Sequence, residues 1–382
     1  MTTPDTQPLG LYIHIPFCRS KCDYCDFYSL SGREADMEEY LRALITHIQQ
    51  TAPTAAAFCV DTVYFGGGTP SIYGAQRLCR LLQEIKANFR VLPDAEITLE
   101  GNPDSVDLPL LTDLRRAGFN RLSLGVQSAC DRHLRNLHRP HTFAQAQQAV
   151  AAARAAGLIN LSLDLIYGLP HQTMADWQDT VEQVLALQPE HLSCYGLKVE
   201  ENTPLYTRVQ QGEVLPDDDA QADMYLWAVT RLEQAGYTQY EISNFARPGR
   251  ESQHNLRYWL TRPYLGFGPG AHSDFCGQRF SLIRDLDGYI RGVQTGLSVT
   301  DSCQTISHQE RAREYLMLRL RTAHGIDPEE YSRTYSMPFA PIQSLLLDYR
   351  QHGWVTQHNG RWRFTPEGFL LSNPLIAQLL DA

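Results

Sequence analysis

The sequence predicts an α/β fold: a partial (β/α)6 barrel followed by a small C-terminal winged-helix-like α+β domain. Two observations predict it. Between the start of the chain and about residue 246, six short apolar, β-branched runs alternate with longer segments of helical period. Such a series implies parallel strands joined by right-handed crossovers, in a barrel or in an open doubly wound sheet. The polar oddities of the region then choose the barrel. Each lies at or just beyond the end of a predicted strand, as in a barrel whose site sits at the strands' carboxyl ends. Six units fill about three quarters of an eight-strand barrel.

Strands are predicted over 10–15, 61–66, 95–100, 121–126, 160–165 and 191–197, with helices in the gaps. In "EADMEEYLRALITHIQQ", Met37, Tyr40, Leu41, Leu44, Ile45 and Ile48 recur three or four apart and form one apolar stripe. The alanine-rich "AQAQQAVAAARAAG" reads as a plain helix ended by Gly157. Residues 1–246 are thus expected to form the barrel. From 247 to 300 the chain is rich in Gly, Pro, Arg and aromatics without a clear period, the texture of a functional connecting segment. The stretch 301–382 opens with the amphipathic "QERAREYLMLRLR". A second helix follows near 340–350, then "VTQHNGRWRF", a hairpin turning at Asn359-Gly360. Helices followed by a hairpin suggest the winged-helix-like domain.

The 382 residues suffice for one large domain and a smaller one, and the formal charge of -10 disfavours a nucleic-acid partner. No targeting run opens the chain and no stretch is long and apolar enough to cross a bilayer, so a cytoplasmic location is expected. Nine cysteines is an odd number. Cys59, Cys79, Cys130, Cys194, Cys276 and Cys303 are scattered singly, which is no disulfide framework.

"CRSKCDYC" is different. Cys18, Cys22 and Cys25 form a C-x3-C-x2-C series on the loop after the first strand. Closed zinc sites and protein-held iron-sulfur clusters take four ligands, so three thiolates leave one position open. Were the ion zinc, His14 or Cys59 could close the site. Were it a [4Fe-4S] cluster, one iron would remain free to chelate an amine and a carboxylate. "FGGGTP" follows the second strand, where glycines let a backbone approach a ligand closely, or simply make a tight turn. Glu100 in "LEGNP", Gln127 in "GVQS", Arg139 in "LHRPH" and Asp164 in "LDLIYGLP" supply hydrogen-bonding groups along the same rim.

The cysteine spacing, with Tyr24 before the third cysteine, resembles the radical S-adenosylmethionine (SAM) superfamily. That resemblance implies a radical SAM barrel and a [4Fe-4S] cluster on Cys18, Cys22 and Cys25 whose open iron binds the methionine part of SAM. "YIHIPFC", "FGGGTP", "LEGNP", "LSLGVQS", "LHRPH" and "DLIYGLP" look like the branch of oxygen-independent coproporphyrinogen III oxidase, over almost the whole chain. By position, SAM contacts carry over to Tyr12, Tyr24, Gly67, Gly68, Thr69, Glu100, Gln127, Arg139 and Asp164. Two departures stand out. The oxidase has a further cysteine where this chain has Phe27, and a long N-terminal extension where about ten residues precede the first strand here.

"HNLRYW" (His254 to Trp259) is similar to the H-N-x-x-Y-W motif of heme chaperones in the same branch. The resemblance implies heme as cargo, His254 as its iron ligand, Arg247, Arg250, Arg257 and Arg262 as candidates for its propionates, and apo-hemoproteins of respiration as acceptors. Contact with membrane-bound acceptors would then be transient. Two readings follow: a heme carrier holding a [4Fe-4S] cluster and SAM, or an oxygen-independent coproporphyrinogen III dehydrogenase that abstracts hydrogen from two propionate side chains with release of carbon dioxide.

Overall fold

The computed structural model describes residues 7–381. All six predicted strands are present: β1 (Gln7–Ile15), β2 (Phe58–Gly67), β3 (Val91–Gly101), β4 (Arg121–Gln127), β5 (Leu161–Tyr167) and β6 (His191–Gly196). They lie side by side in chain order and all are parallel. β3 starts earlier than expected because a register shift between Val60 and Thr62 lets Val91 pair with Val60.

Helices fill the gaps for the reasons the periodicity implies. The helix Met37–Thr51 buries Met37, Tyr40, Leu41, Leu44, Ile45 and Ile48, the whole expected stripe. Each such fully buried aliphatic side chain contributes roughly 1.5–3 kcal/mol. "EAD" before it forms a separate 3-10 turn. The helix Phe143–Ala155 begins at a capping box in which Thr142 and Gln145 bond each other's backbone N–H, and the chain leaves it through Gly157 at φ +82°.

The sheet continues beyond the six units. On the β6 side, β7 (Thr238–Gln239) and β8 (Asn244–Ala246) add antiparallel strands. On the β1 side, β9 (Tyr264–Phe267) pairs parallel to β1, and β10 (His272–Phe275), β11 (Gln278–Leu282) and β12 (Thr300–Thr305) follow antiparallel. The result is one twelve-stranded sheet in the order β12-β11-β10-β9-β1-β2-β3-β4-β5-β6-β8-β7. The segment 247–300 therefore supplies three strands whose shortness left no readable period.

The two faces of the central strands differ sharply. In β4, Leu122, Leu124 and Val126 join the apolar core beneath the helices, whereas Arg121, Ser123, Gly125 and Gln127 face a cavity inside the barrel. Period-two alternation thus separates a dry outer layer from a polar lumen.

After β12 come the helices His308–Arg319, Pro328–Tyr335 and Ala340–Gln351, then the hairpin β13 (Val355–His358) and β14 (Arg361–Phe364). His358 pairs with Arg361, and Asn359 and Gly360 both take positive φ (50° and 81°), as a type I′ turn requires. Two short helices, Pro366–Leu370 and Ser372–Leu380, close the unit.

This unit is tied to the sheet by a four-residue charge network. Arg311 pairs with Asp274 of β10 and, at 3.1 Å, with Glu314, while Arg279 of β11 reaches Glu314 at 2.5 Å and Asp274 at 2.7 Å. Burial alone would push Asp274 up, but its bonds to Arg311 and Arg279 hold it below the usual carboxylate range. A depressed acid stabilises the fold above its unfolded pKa and ceases to as pH falls through its folded value. Asp274→Ala is expected to cost about 1 kcal/mol at pH 7, a value discounted for solvent screening. The gap between wild type and variant in urea denaturation should close in strong acid; a gap independent of pH would show that the network does not carry it.

Candidate functional site

A cavity of about 440 Å³ opens at the carboxyl ends of the parallel strands. Its wall is built strand by strand. β1 ends at Ile15 level with Gly67 of β2, and the backbone continues the pairing past the strand ends: Gly68 N–H donates to the Ile15 carbonyl at 2.9 Å and Thr69 N–H to that of Phe17 at 2.8 Å. The cysteine loop is thereby held against the glycine run. Cys18, Cys22 and Cys25 all face the cavity, with Cys18 Sγ 3.4 Å from Thr69 Oγ1. Arg139 Nη1 donates to Cys22 Sγ at 3.2 Å, and its Nη2 donates to Asn102 Oδ1 and to the Gly125 carbonyl. A Cβ at Gly125 would lie 2.9 Å from Gln127 Nε2 and 3.0 Å from Arg139 Nη2, so these side-chain ends would have to shift to admit it.

Glu100, at the end of β3, accepts from Tyr64 Oη at 2.6 Å and from Gly67 N–H at 3.2 Å. Burial pushes its carboxyl up to about 7, with the Tyr64 bond pulling the other way. Asp164 on β5 accepts from Ser193 (2.6 Å), Ser123 (2.9 Å) and Ser162 (3.2 Å); burial still raises it. Gln127 follows a register shift in the β4–β5 ladder and takes φ +65°, a left-handed conformation that turns its amide toward the cavity.

Of the residues nominated from sequence, Cys18, Cys22, Cys25, Tyr24, Gly67, Gly68, Thr69, Glu100, Gln127, Arg139 and Asp164 all line this one cavity. Tyr12 stands behind the wall, bonded to His14 Nδ1 at 3.0 Å and stacked on Tyr64. Tyr64, Arg121 and Ser193 also line it and lie outside every motif, and Asn102 of "LEGNP" and Ser123 of "LSLGVQS" line it although neither was singled out. Strand alternation could have found them: Tyr64 is two residues before Gly66, and Arg121 and Ser123 share the face of Gln127.

His254 is placed otherwise than expected. The helix Gln253–Trp259 packs against the face of β2 that carries Thr62 and Tyr64, and the imidazole is fully buried with both nitrogens engaged: Nδ1 with Thr62 Oγ1 at 2.9 Å and Nε2 with Tyr258 Oη at 2.8 Å. In this arrangement no nitrogen is free for a metal; only the neighbouring Asn255 reaches the cavity. Arg257, a candidate for heme propionates, is likewise buried and paired with Asp61.

The donor set fits a cluster with an open position. Three sulfurs share the cavity, whereas His14 and Cys59, the possible fourth ligands of a closed zinc site, do not line it. Burial pushes the Cys18 and Cys25 thiols up, so a bound cation is what would hold them as thiolates. Two arginines also line the cavity, Arg139 bonded to Cys22 and Arg121 at the start of β4, and Arg139 Nε and Arg121 Nε and Nη1 are buried without hydrogen-bond partners.

Residues 12–184 match the family model of the Radical SAM superfamily and residues 306–371 that of the HemN C-terminal domain. The chain is 35% identical to the heme chaperone HemW of Escherichia coli (strain K12), over 98% of each chain. It is 34% identical to HemW of Bacillus subtilis (strain 168), over 97% of this chain and 98% of that one. Mitochondrial radical S-adenosyl methionine domain-containing protein 1 of Bos taurus is 36% identical, over 99% of this chain and 88% of the relative. The fold superposes on coproporphyrinogen III oxidase (HemN) of Escherichia coli, described as a radical SAM enzyme, with a TM-score of 0.85 at 26% identity, covering 99% and 91% of the two chains. Among the described residues no helix is long and apolar enough to cross a membrane.

The cavity depends on Gly68. A Cβ there would lie 2.6 Å from the Phe17 carbonyl oxygen and 3.0 Å from that of Ile15, backbone atoms that cannot rotate away. Gly68→Ala is expected to cost about 1–3 kcal/mol in chemical denaturation. An unchanged midpoint would mean that the cysteine loop yields without resistance.

Proposed function

From the membership of this chain in the family of the heme chaperone HemW, within the radical SAM superfamily, we propose that it is a heme carrier that holds a [4Fe-4S] cluster and SAM and passes heme to apo-hemoproteins, respiratory enzymes among them. The similarity over 98% of both chains carries this reading, because it spans the cavity and the C-terminal unit together.

Cys18, Cys22 and Cys25 would hold the cluster. Gly67, Gly68 and Thr69 would offer backbone and hydroxyl to SAM, and Arg139, Glu100, Gln127 and Asp164 would bond its carboxylate, ribose and amine. When bound, the cluster supplies an iron that anchors SAM and, on reduction, an electron for its cleavage. The protein's own part would be electrostatic: two buried carboxylates would face the sulfonium, and Arg139 lies against the Cys22 sulfur.

The dehydrogenase is the second reading, favoured by the structural likeness to the oxidase. Against it, the position where that enzyme carries an additional cysteine is Phe27, a side chain 66% exposed at the cavity mouth.

Anaerobic heme titration of cluster-reconstituted protein, followed by Soret absorption, separates the two. Saturable binding of one heme, with transfer to an apo-hemoprotein, is expected. Absence of binding, with decarboxylated product from coproporphyrinogen III and SAM, would replace the carrier by the enzyme. Cys22→Ser is expected to abolish the cluster's absorption and, with it, SAM binding.

A further inference from the structure

We propose that His254 is a positioning residue for the SAM cavity: it holds Tyr64, and through Tyr64 the Glu100 carboxylate, in the place where Glu100 closes the glycine wall. The inference rests on the reading of the cavity as a SAM site, and it gives the "HNLRYW" helix a task other than iron ligation.

The connection is continuous. Glu96 of β3 accepts the N–H groups of Gln253 and His254, both at 3.1 Å, which pins the start of the helix to the sheet. Ser252 caps the same turn by accepting from Asn255 N–H. The His254 ring is then held on three sides: Thr62 at Nδ1, Tyr258 at Nε2, and Tyr64 stacked on its face with ring centroids 5.1 Å apart and planes 25° apart. Tyr64 is the last link, since its hydroxyl donates to Glu100 Oε1 while Glu100 Oε2 takes the Gly67 N–H. Removing the imidazole frees the face of Tyr64 and leaves its ring without the surface that fixes its angle. The spacing of four residues between His254 and Tyr258 puts both on the inner face of the helix, so the motif packs against its own sheet.

The consequence is a change in proton affinity at the cavity. Glu100 is faced by Tyr12 from β1, Tyr64 from β2, Arg121 from β4, Asp164 from β5 and Tyr258 from the helix. The Tyr64 hydrogen bond favours the ionised carboxylate. SAM carries a sulfonium, a fixed positive charge, so the ionised carboxylate is the form that binds it best. Loosening Tyr64 keeps Glu100 protonated to higher pH, and the pH midpoint of SAM binding moves up.

The test is SAM binding to cluster-reconstituted protein across pH 6 to 9, read by calorimetry and by the change SAM causes in the electron paramagnetic resonance of the reduced cluster. Native protein, Tyr64→Phe and His254→Ala are compared. Both variants are expected to raise the midpoint by on the order of one pH unit and to weaken SAM binding about tenfold at pH 7. The double variant should do little more than either alone, because the two act through one path. A midpoint that stays at the native value in either single variant overturns the proposal. Should His254→Ala fail to fold, Tyr258→Phe removes one hydroxyl from the same path and carries the same expectation, and an unmoved midpoint there overturns the proposal equally. Soret titrations run in parallel keep the two readings apart. Absence of heme binding in native protein sinks the carrier reading without touching the SAM midpoint, whereas loss in His254→Ala alone with an unmoved midpoint returns His254 to the role of heme ligand.

Discussion

The parallel pairing of β1 with β2 is the constraint on which the rest depends. It brings Ile15 level with Gly67, and two further backbone hydrogen bonds carry the pairing beyond the strands into the cysteine loop. A loop that must present three sulfurs to one point cannot be left to its own side chains, whose ordering entropy would be lost at each assembly. Here the backbone of the neighbouring strand does the ordering. The close approach explains the glycines, since at 68 the loop carbonyls occupy the space of a Cβ. Thr69, the first residue past the glycines with a side chain, turns its hydroxyl to Cys18.

The same sheet solves a second problem, that of a charged interior. Barrel lumens are ordinarily filled by branched apolar residues, yet this one contains Glu100, Arg121, Asp164 and His191. The apolar layer between sheet and helices supplies the stability, and the lumen is tolerable where its polar groups are satisfied. Asp164 is held by three serines on three adjacent strands, and His191 by Ser162 and Tyr240. Such networks are rigid, so the groups facing a ligand are fixed before it arrives. Among the exceptions in the described residues are the unpartnered donors of Arg121 and Arg139, two side chains that line the cavity.

Much of this was readable in the chain because strands and helices carry different periods. The six strand runs and the Met37 stripe needed no more than that; the cysteine loop, the glycine run, Glu100, Gln127 and Asp164 stood out by their place near strand ends, whereas Arg139 and the SAM contacts came from the resemblance of the motifs. What escaped was short or unmarked. β9 to β12 are strands of four to six residues at a sheet edge, too brief for alternation to rise above the Gly, Pro and Arg around them. Tyr64, Arg121 and Ser193 sit inside strands, where a polar residue reads as an interruption until the opposite face is known to be a cavity. Their common signal was present in β4 as Arg121, Ser123, Gly125 and Gln127 at every second position, a polar face on a central strand.

His254 escaped for a different reason. A histidine and a tyrosine four apart define one face of a helix, but their spacing is the same whether that face looks outward to a ligand or inward to a sheet. The direction is decided by groups far away in sequence: Glu96, which fixes the first turn, and Thr62, which meets the imidazole. Burial then does the rest, holding the ring neutral with both nitrogens bonded. The ring stacked on Tyr64 is thereby joined, through one phenol, to the carboxylate that bonds the glycine wall.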